Sequence, residues 1–307
     1  MMNWLRKDTF WSFMVRNSIE RYSRHSIAQA GGQLAYFFVL AIFPFIMSVN
    51  ALIGVLHIPE ASIYEWLTPF LPTQIVDILA SYSTYLQQLP NTSLIWFGLV
   101  LGLFSASAAV TSLIDAINKA YHIRKQRNFI QNFIISISFM LLLCIIIPLT
   151  IVLMTLGQEF MGWVNVKLGF EFIPVRLWNL LRLGIILASL VSVLALMYYV
   201  IPNKKLRIVS ILPGTVFSVI CWFALTYIFS IYVQHSTRIS IVYGSIGAII
   251  ILMMWLYLIG IILVVGAELN AMIDDYREHK RKRTYQTALS NKQENEVTEP
   301  PAEHTEL

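Results

Sequence analysis

The sequence predicts an all-α, polytopic membrane protein with six transmembrane helices and both termini on the cytoplasmic side (N-in/C-in). An N-terminal amphipathic helix precedes the spans, and short external helices lie between the first and second. Three observations predict this fold. Hydrophobic residues make up 57% of the 307-residue chain and charged residues only 13%, about half the ~25% typical of a soluble domain; the mean hydropathy is +0.66. Apolar runs of about 20 residues, enough to span a hydrocarbon core of ~30 Å, recur along the chain. Lys and Arg also alternate in density from one connection to the next, as the positive-inside rule requires.

The first element is residues 1–32. It carries Arg6, Lys7, Asp8, Arg16, Glu20, Arg21 and Arg24, so it lacks the uninterrupted apolar stretch of a signal peptide. Trp4, Leu5, Trp11, Met14, Val15, Ile19 and Tyr22 favour one side of a helix. This spacing predicts an amphipathic helix on the inner membrane surface, with a cytoplasmic partner site as the alternative.

A transmembrane domain follows over 33–276, with spans at about 33–57, 93–114, 133–157, 179–201, 208–233 and 244–268. Five Lys or Arg precede the first span, and 115–132 holds Lys119, Arg124, Lys125 and Arg127. Lys204, Lys205 and Arg207 fill 202–207, and six more follow residue 268. The other side has Lys167, Arg176, Arg182 and Arg238, with none in 58–92. The basic charge of +5 therefore records orientation against anionic headgroups and does not call for nucleic acid.

The 58–92 connection is punctuated by Pro59, Pro69, Pro72 and Pro90 yet rich in Trp66, Phe70, Ile75, Leu79 and Tyr82. It reads as one or two short external helices, resting on the outer interface or folded back as a lid. Beyond 276, REHKRKR gives way to the acidic, proline-bearing QENEVTEPPAEHTEL. That composition predicts a charged, disordered cytoplasmic tail over 277–307.

Within the spans, Pro44, Pro148 and Pro213 are candidate helix kinks. Gly98, Gly102 and Ala106 form a small-residue face suited to close helix packing within or between chains, so a homo-oligomer is open. Polar groups near membrane depth are costly unless paired or hydrated. Glu268 and Asn270 end a long apolar run, Asp115 and Asn118 end the second span, and Gln33 and Tyr36 open the first. These six predict either an inner vestibule or a network that ties helix ends together, with Lys119 or Arg207 as candidate partners. Asn50 lies further along the first span, and Arg182, Arg238 and Tyr243 form the comparable outer group.

Chemistry finds little footing. The histidines are scattered, and no HExxH, GxSxG or GxxxxGK[ST] pattern occurs. Cys144 and Cys221 have no partner at metal-ligand spacing and read as packing. No catalytic residue, metal or cofactor is expected. The cytoplasmic loops are too short for an ATPase domain.

Five segments in order, GGQLAYFFVLAIFP (31–44), SASAAVTSLIDAINKAY (105–121), YYVIPNKKL (198–206), ILPGTVFSVICW (211–222) and VYGSIGAIIILMMWLYLIGIILVVGAELNA (242–271), resemble the YihY/virulence factor BrkB family. The resemblance runs from about residue 10 to 275, and its last segment is the most specific. It implies a six-helix protein of the bacterial inner membrane, in agreement with the topology above, and brings no settled activity. Family members have carried the label ribonuclease BN. The residues here argue against that label, since an RNase needs a metal or acid–base site facing the cytoplasm. The family's recurring positions match Leu34, Ala35, Tyr36, Pro44, Asn118, Tyr121, Pro202, Asn203, Pro213, Gly214, Tyr243, Gly244, Ser245, Glu268, Leu269 and Asn270.

The functional expectation is a transporter or translocator of an amphipathic substrate, a lipid or lipid-linked envelope precursor, not driven by ATP on its own. Its partners would be membrane lipids and that substrate. The alternative is a membrane scaffold of the cell envelope without transport activity.

Overall fold

The structure is a computed structural model that describes residues 10–56, 68, 70–87, 92–123, 128, 130–139, 141–142, 145–146, 149, 175–204, 206–235 and 245–298. Among the described residues every regular element is a helix: α1 (Phe10–Arg24), α2 (Ile27–Leu56), α3 (Thr73–Gln87), α4 (Thr92–Ala120), α5 (Ile130–Phe139), α6 (Val175–Val200), α7 (Ile208–His235) and α8 (Ser245–Thr298). Among the described residues three helices are long and apolar enough to cross a membrane, in Leu183–Val200, Ile208–His235 and the apolar part of α8 beginning at Gly247. Their starts lie close to the expected fourth, fifth and sixth spans. The first span belongs to a 30-residue helix that begins at Ile27. The third, 133–157, falls largely outside the described residues, as does Pro148.

α8 is the hub, packing against α2, α7, α4, α1 and α3. Leu252, Trp255, Ile259, Val264 and Ala267 of α8 join Leu34 of α2, Ile114 and Ile117 of α4, and Tyr198 and Ile201 in one buried cluster. Two glycine contacts set the closest approaches. A Cβ added at Gly31 would lie 2.7 Å from Ile261 Cγ1, and one at Gly260 would lie 3.1 Å from the Gly31 carbonyl. One added at Gly214 would overlap the Gly266 carbonyl oxygen. Bare backbone at both crossings lets two helices meet without intervening side chains. Outward, α7 presents Leu212, Val216, Ile220 and Ile228, the apolar exterior that lipid in place of water demands.

Two elements settle against the bundle, and a third departs from expectation. The amphipathic segment does not lie apart from the bundle: Phe13 and Met14 of α1 pack on Leu269, Met272 and Ile273 of α8, and Phe13 meets the Tyr276 ring at 5.4 Å between centroids. Met14 of its apolar stripe is buried against protein, whereas Tyr22 is exposed. In the external connection, α3 folds back on α2, α8 and α7, with Ile75, Val76, Leu79 and Ser83 buried. Beyond residue 276, where a disordered tail is expected, α8 stays helical to Thr298. Lys, Arg, Gln, Glu and Ala there are good helix formers, and Lys282 pairs with Glu278 at 2.9 Å one turn away.

Candidate functional site

Ten residues of α8, Glu268 to Arg277, collect partners from across the bundle. Glu268 is 2% exposed and shares its two carboxylate oxygens between α1 and the bend that follows. Arg21 Nη1 donates to Oε2 at 3.3 Å, and His25 Nδ1 contacts Oε1. The second Arg21 guanidinium nitrogen binds Asp275 at 2.5 Å, and Nη1 also reaches the Ala120 carbonyl at 3.3 Å. A buried carboxylate needs this compensation, because desolvation costs several kcal/mol per ion.

Local structure puts His25 in place. Ser26 adopts a left-handed φ of 55°, which ends α1 and lets α2 start at Ile27 on a new axis. α4 ends similarly. His122 has φ 54°, its N–H reaches the Lys119 carbonyl at 3.1 Å, and the Ile123 N–H reaches the Asn118 carbonyl at 3.0 Å. That pair of bonds is a Schellman cap. It brings the His122 ring 5.3 Å from the His25 ring, edge on. Together with Lys119 and Ile123 the two imidazoles line a pocket of about 390 Å3.

The rest of the collar is neutral or paired. Asn270, fully buried, accepts the Gly214 N–H at 2.6 Å; its Nδ2 has no partner among the described residues, and neither does the buried Tyr121 hydroxyl. Asn118 accepts the Asn203 N–H at 3.0 Å. Lys204 pairs with Asp274 at 2.7 Å, and Arg277 donates to Ser210 at 3.1 Å.

From this collar a line of polar groups runs along α7 at four-residue steps. Ser210 and Gly214 meet Arg277 and Asn270. Ser218 Oγ bonds the Tyr198 hydroxyl at 2.8 Å, and that hydroxyl donates to the Leu263 carbonyl at 2.8 Å. Trp222 Nε1 and Thr226 Oγ1 both donate to the Phe70 carbonyl, at 2.9 and 3.2 Å. Sixteen residues of helix cover about 24 Å. The seam is thus as long as most of a hydrocarbon core of ~30 Å.

Of the residues singled out from sequence, Glu268, Asn118 and Asn270 come together in the collar. Gln33 and Asp115 are exposed, and Tyr36 is 54% exposed. The face of α2 turned to α8 is Ile27, Gly31, Leu34 and Ala35, set by the Gly31–Gly260 approach, which leaves Gln33 and Tyr36 on the other side. The partners of Glu268 are Arg21 and His25 rather than Lys119 or Arg207. The sequence carries one trace of them, the four-residue spacing of Arg21 and His25, which puts two basic side chains on one side of the chain without naming their partner. Pro213 sits in the second turn of a continuous α7. Pro44, Asn50 and Arg182 lie in helices but their side chains are outside the described residues, as are Arg238 and Tyr243 altogether. No group of three His, Cys, Asp or Glu side chains among the described residues is placed to hold a metal ion.

Comparison with known proteins places the sequence among bacterial membrane proteins. Residues 18–290 match the family described as Virulence factor BrkB. A protein of Bacillus subtilis named ribonuclease-like protein YfkH is 30% identical over 269 residues, 88% of this chain and 96% of that one. A UPF0761 membrane protein of Pseudoalteromonas atlantica is 23% identical over 93% of both chains. Another, from Chromohalobacter salexigens, is 22% identical over 86% of this chain and 63% of its own length. No solved structure matches.

Proposed function

The chain belongs to the virulence factor BrkB family of membrane proteins, and from that footing we propose that it translocates an amphipathic substrate, a lipid or lipid-linked envelope precursor. On this reading the protein has six spans with both termini cytoplasmic, and sits in the bacterial cytoplasmic membrane. The observation that carries the proposal is the polar seam on α7. A headgroup crossing a bilayer needs hydrogen-bonding partners at every depth, and Ser210, Ser218, Trp222 and Thr226 supply them in sequence beside an apolar, lipid-facing flank. Each group already has a partner, so the seam as seen is closed, and movement would require α7 and α8 to part.

The test is movement of labelled phospholipid across proteoliposomes holding the purified protein, with Ser218→Val and Glu268→Gln alongside. Faster movement than in empty vesicles, slowed by Ser218→Val in folded protein, supports the seam. No movement in correctly inserted protein removes general phospholipid translocation.

The scaffold reading draws on a different feature, the charged helical extension of α8 past residue 276. Truncation after residue 276 that removes a binding partner without touching lipid movement would favour it. Neither reading makes the protein a nuclease.

A further inference from the structure

We propose that the pocket lined by His25, Lys119, His122 and Ile123 binds the phosphate group of an anionic ligand. Three of its four walls carry nitrogen donors: two imidazoles and an ammonium. At about 390 Å3 it falls within the range of roughly 300–1,000 Å3 usual for small-molecule sites, large enough for a phosphate with a glycerol-sized substituent.

The charges facing this pocket come from four elements. α1 brings Arg21, the bend before α2 brings His25, the end of α4 brings Lys119 and His122, and α8 brings Glu268 and Asp275. Neither carboxylate is turned to the pocket as a free anion. Glu268 is held by Arg21 and His25, and Asp275 by Arg21. Arg21 pairs with both carboxylates, which leaves the Lys119 ammonium as the charge that lines the pocket. With Nδ1 of His25 committed to Glu268, its Nε2 is the nitrogen left for the pocket, where it donates only as part of an imidazolium.

The backbone is arranged to the same end. The C-terminus of α4 would ordinarily repel an anion through its unpaired carbonyls. Here the carbonyls of Ile117, Asn118 and Lys119 accept from Tyr121, Ile123 and His122, and that of Ala120 accepts from Arg21. A tetrahedral phosphate can accept from the lysine and the His122 ring at once, and from His25 when that ring is an imidazolium.

The source of the phosphate is a lipid headgroup or a free phosphate, and this binding is independent of any translocation. Calorimetric titration of the full-length protein in phosphatidylcholine nanodiscs and phosphate-free buffer tests it. The two probes are inorganic phosphate and a short-chain, water-soluble phosphatidylglycerol. Saturable binding of at least one is expected, weakened about tenfold or more by Lys119→Gln and kept by Lys119→Arg. Binding of inorganic phosphate identifies a free-phosphate site, and binding of the phosphatidylglycerol alone identifies a headgroup site. His122→Asn, whose side chain tolerates the left-handed cap, should weaken either. Lack of saturable binding of both probes overturns the proposal. So does binding unchanged in Lys119→Gln and His122→Asn variants that retain the wild-type unfolding midpoint.

Discussion

Arg21 and Glu268 are 247 positions apart in the chain and 3.3 Å apart in the fold. This single contact joins the first described helix to the last, with His25 on the other carboxylate oxygen. Its energetic meaning lies less in the attraction than in what either partner would suffer alone. Paired, the two ions roughly offset their desolvation. Unpaired, the carboxylate stays buried without compensation.

Arg21→Gln should therefore destabilise the protein by about 3 kcal/mol. Arg21→Gln with Glu268→Gln should cost much less than the two single changes summed. Unfolding midpoints of all four proteins in one detergent give the coupling. Additive effects would show that the pair contributes nothing beyond its separate groups.

The glycine crossings give opposite outcomes for one chemical change. Gly214→Ala drives a methyl group into the Gly266 carbonyl and the Asn270 side chain, so helices α7 and α8 must separate, at a cost of about 1–3 kcal/mol or more. Gly32→Ala meets nothing within 4 Å and should hold or raise stability by up to about 1 kcal/mol, since alanine favours helix. Thermal unfolding of the two variants side by side checks both signs.

Tyr198→Phe removes the donor to the Leu263 carbonyl and the bond to Ser218 while leaving the ring volume unchanged. A loss of about 1–3 kcal/mol is expected, because a buried acceptor, the Leu263 carbonyl, and a buried donor, the Ser218 hydroxyl, lose their partner. If the seam carries headgroups, this variant should also slow lipid movement in vesicles.

Acid should act through His122. Burial first, and then the Arg21 charge, hold its imidazole below the ordinary value of 6.5. The unfolded chain accordingly takes up a proton that the folded chain resists, so this contribution to stability is intact above about pH 7 and is lost as the pH falls through 6.5. In phosphate-free buffer His122→Asn should lose less stability than the wild type between pH 7.5 and 5.5. Equal losses would place the acid sensitivity elsewhere.

How much of this was legible in the sequence follows from the physics of each signal. Glu268 stood out because a lone carboxylate at the end of a long apolar run is too costly to be incidental. The helices at 183–200 and 208–235 and the start of α8 were legible for the related reason that length and hydropathy alone decide a span. The partners Arg21 and His25 were not, since an amphipathic helix can bury its stripe in lipid or in protein with the same spacing. Gln33 and Tyr36 were misplaced because polarity near a helix end says nothing about rotation. That rotation comes from the approach of Gly31 to Gly260, a contact across two helices. The helical extension past residue 276 was hidden by its charge, which argues against a core but not against a helix.

At about 1.5 Å per residue, the 54 residues of α8 make a rod of about 80 Å, and some 45 Å of it lies beyond Glu268. A rigid rod pivoting at the collar is a lever. A tilt of 10° about Glu268 sweeps the far end through about 8 Å, while the same tilt shifts Asn270, half a turn away, by only about 0.5 Å. Any rearrangement of the packed helices too small to notice at the Arg21–Glu268 pair would be magnified more than tenfold at Thr298, so that end of the molecule is the place to attach a distance reporter.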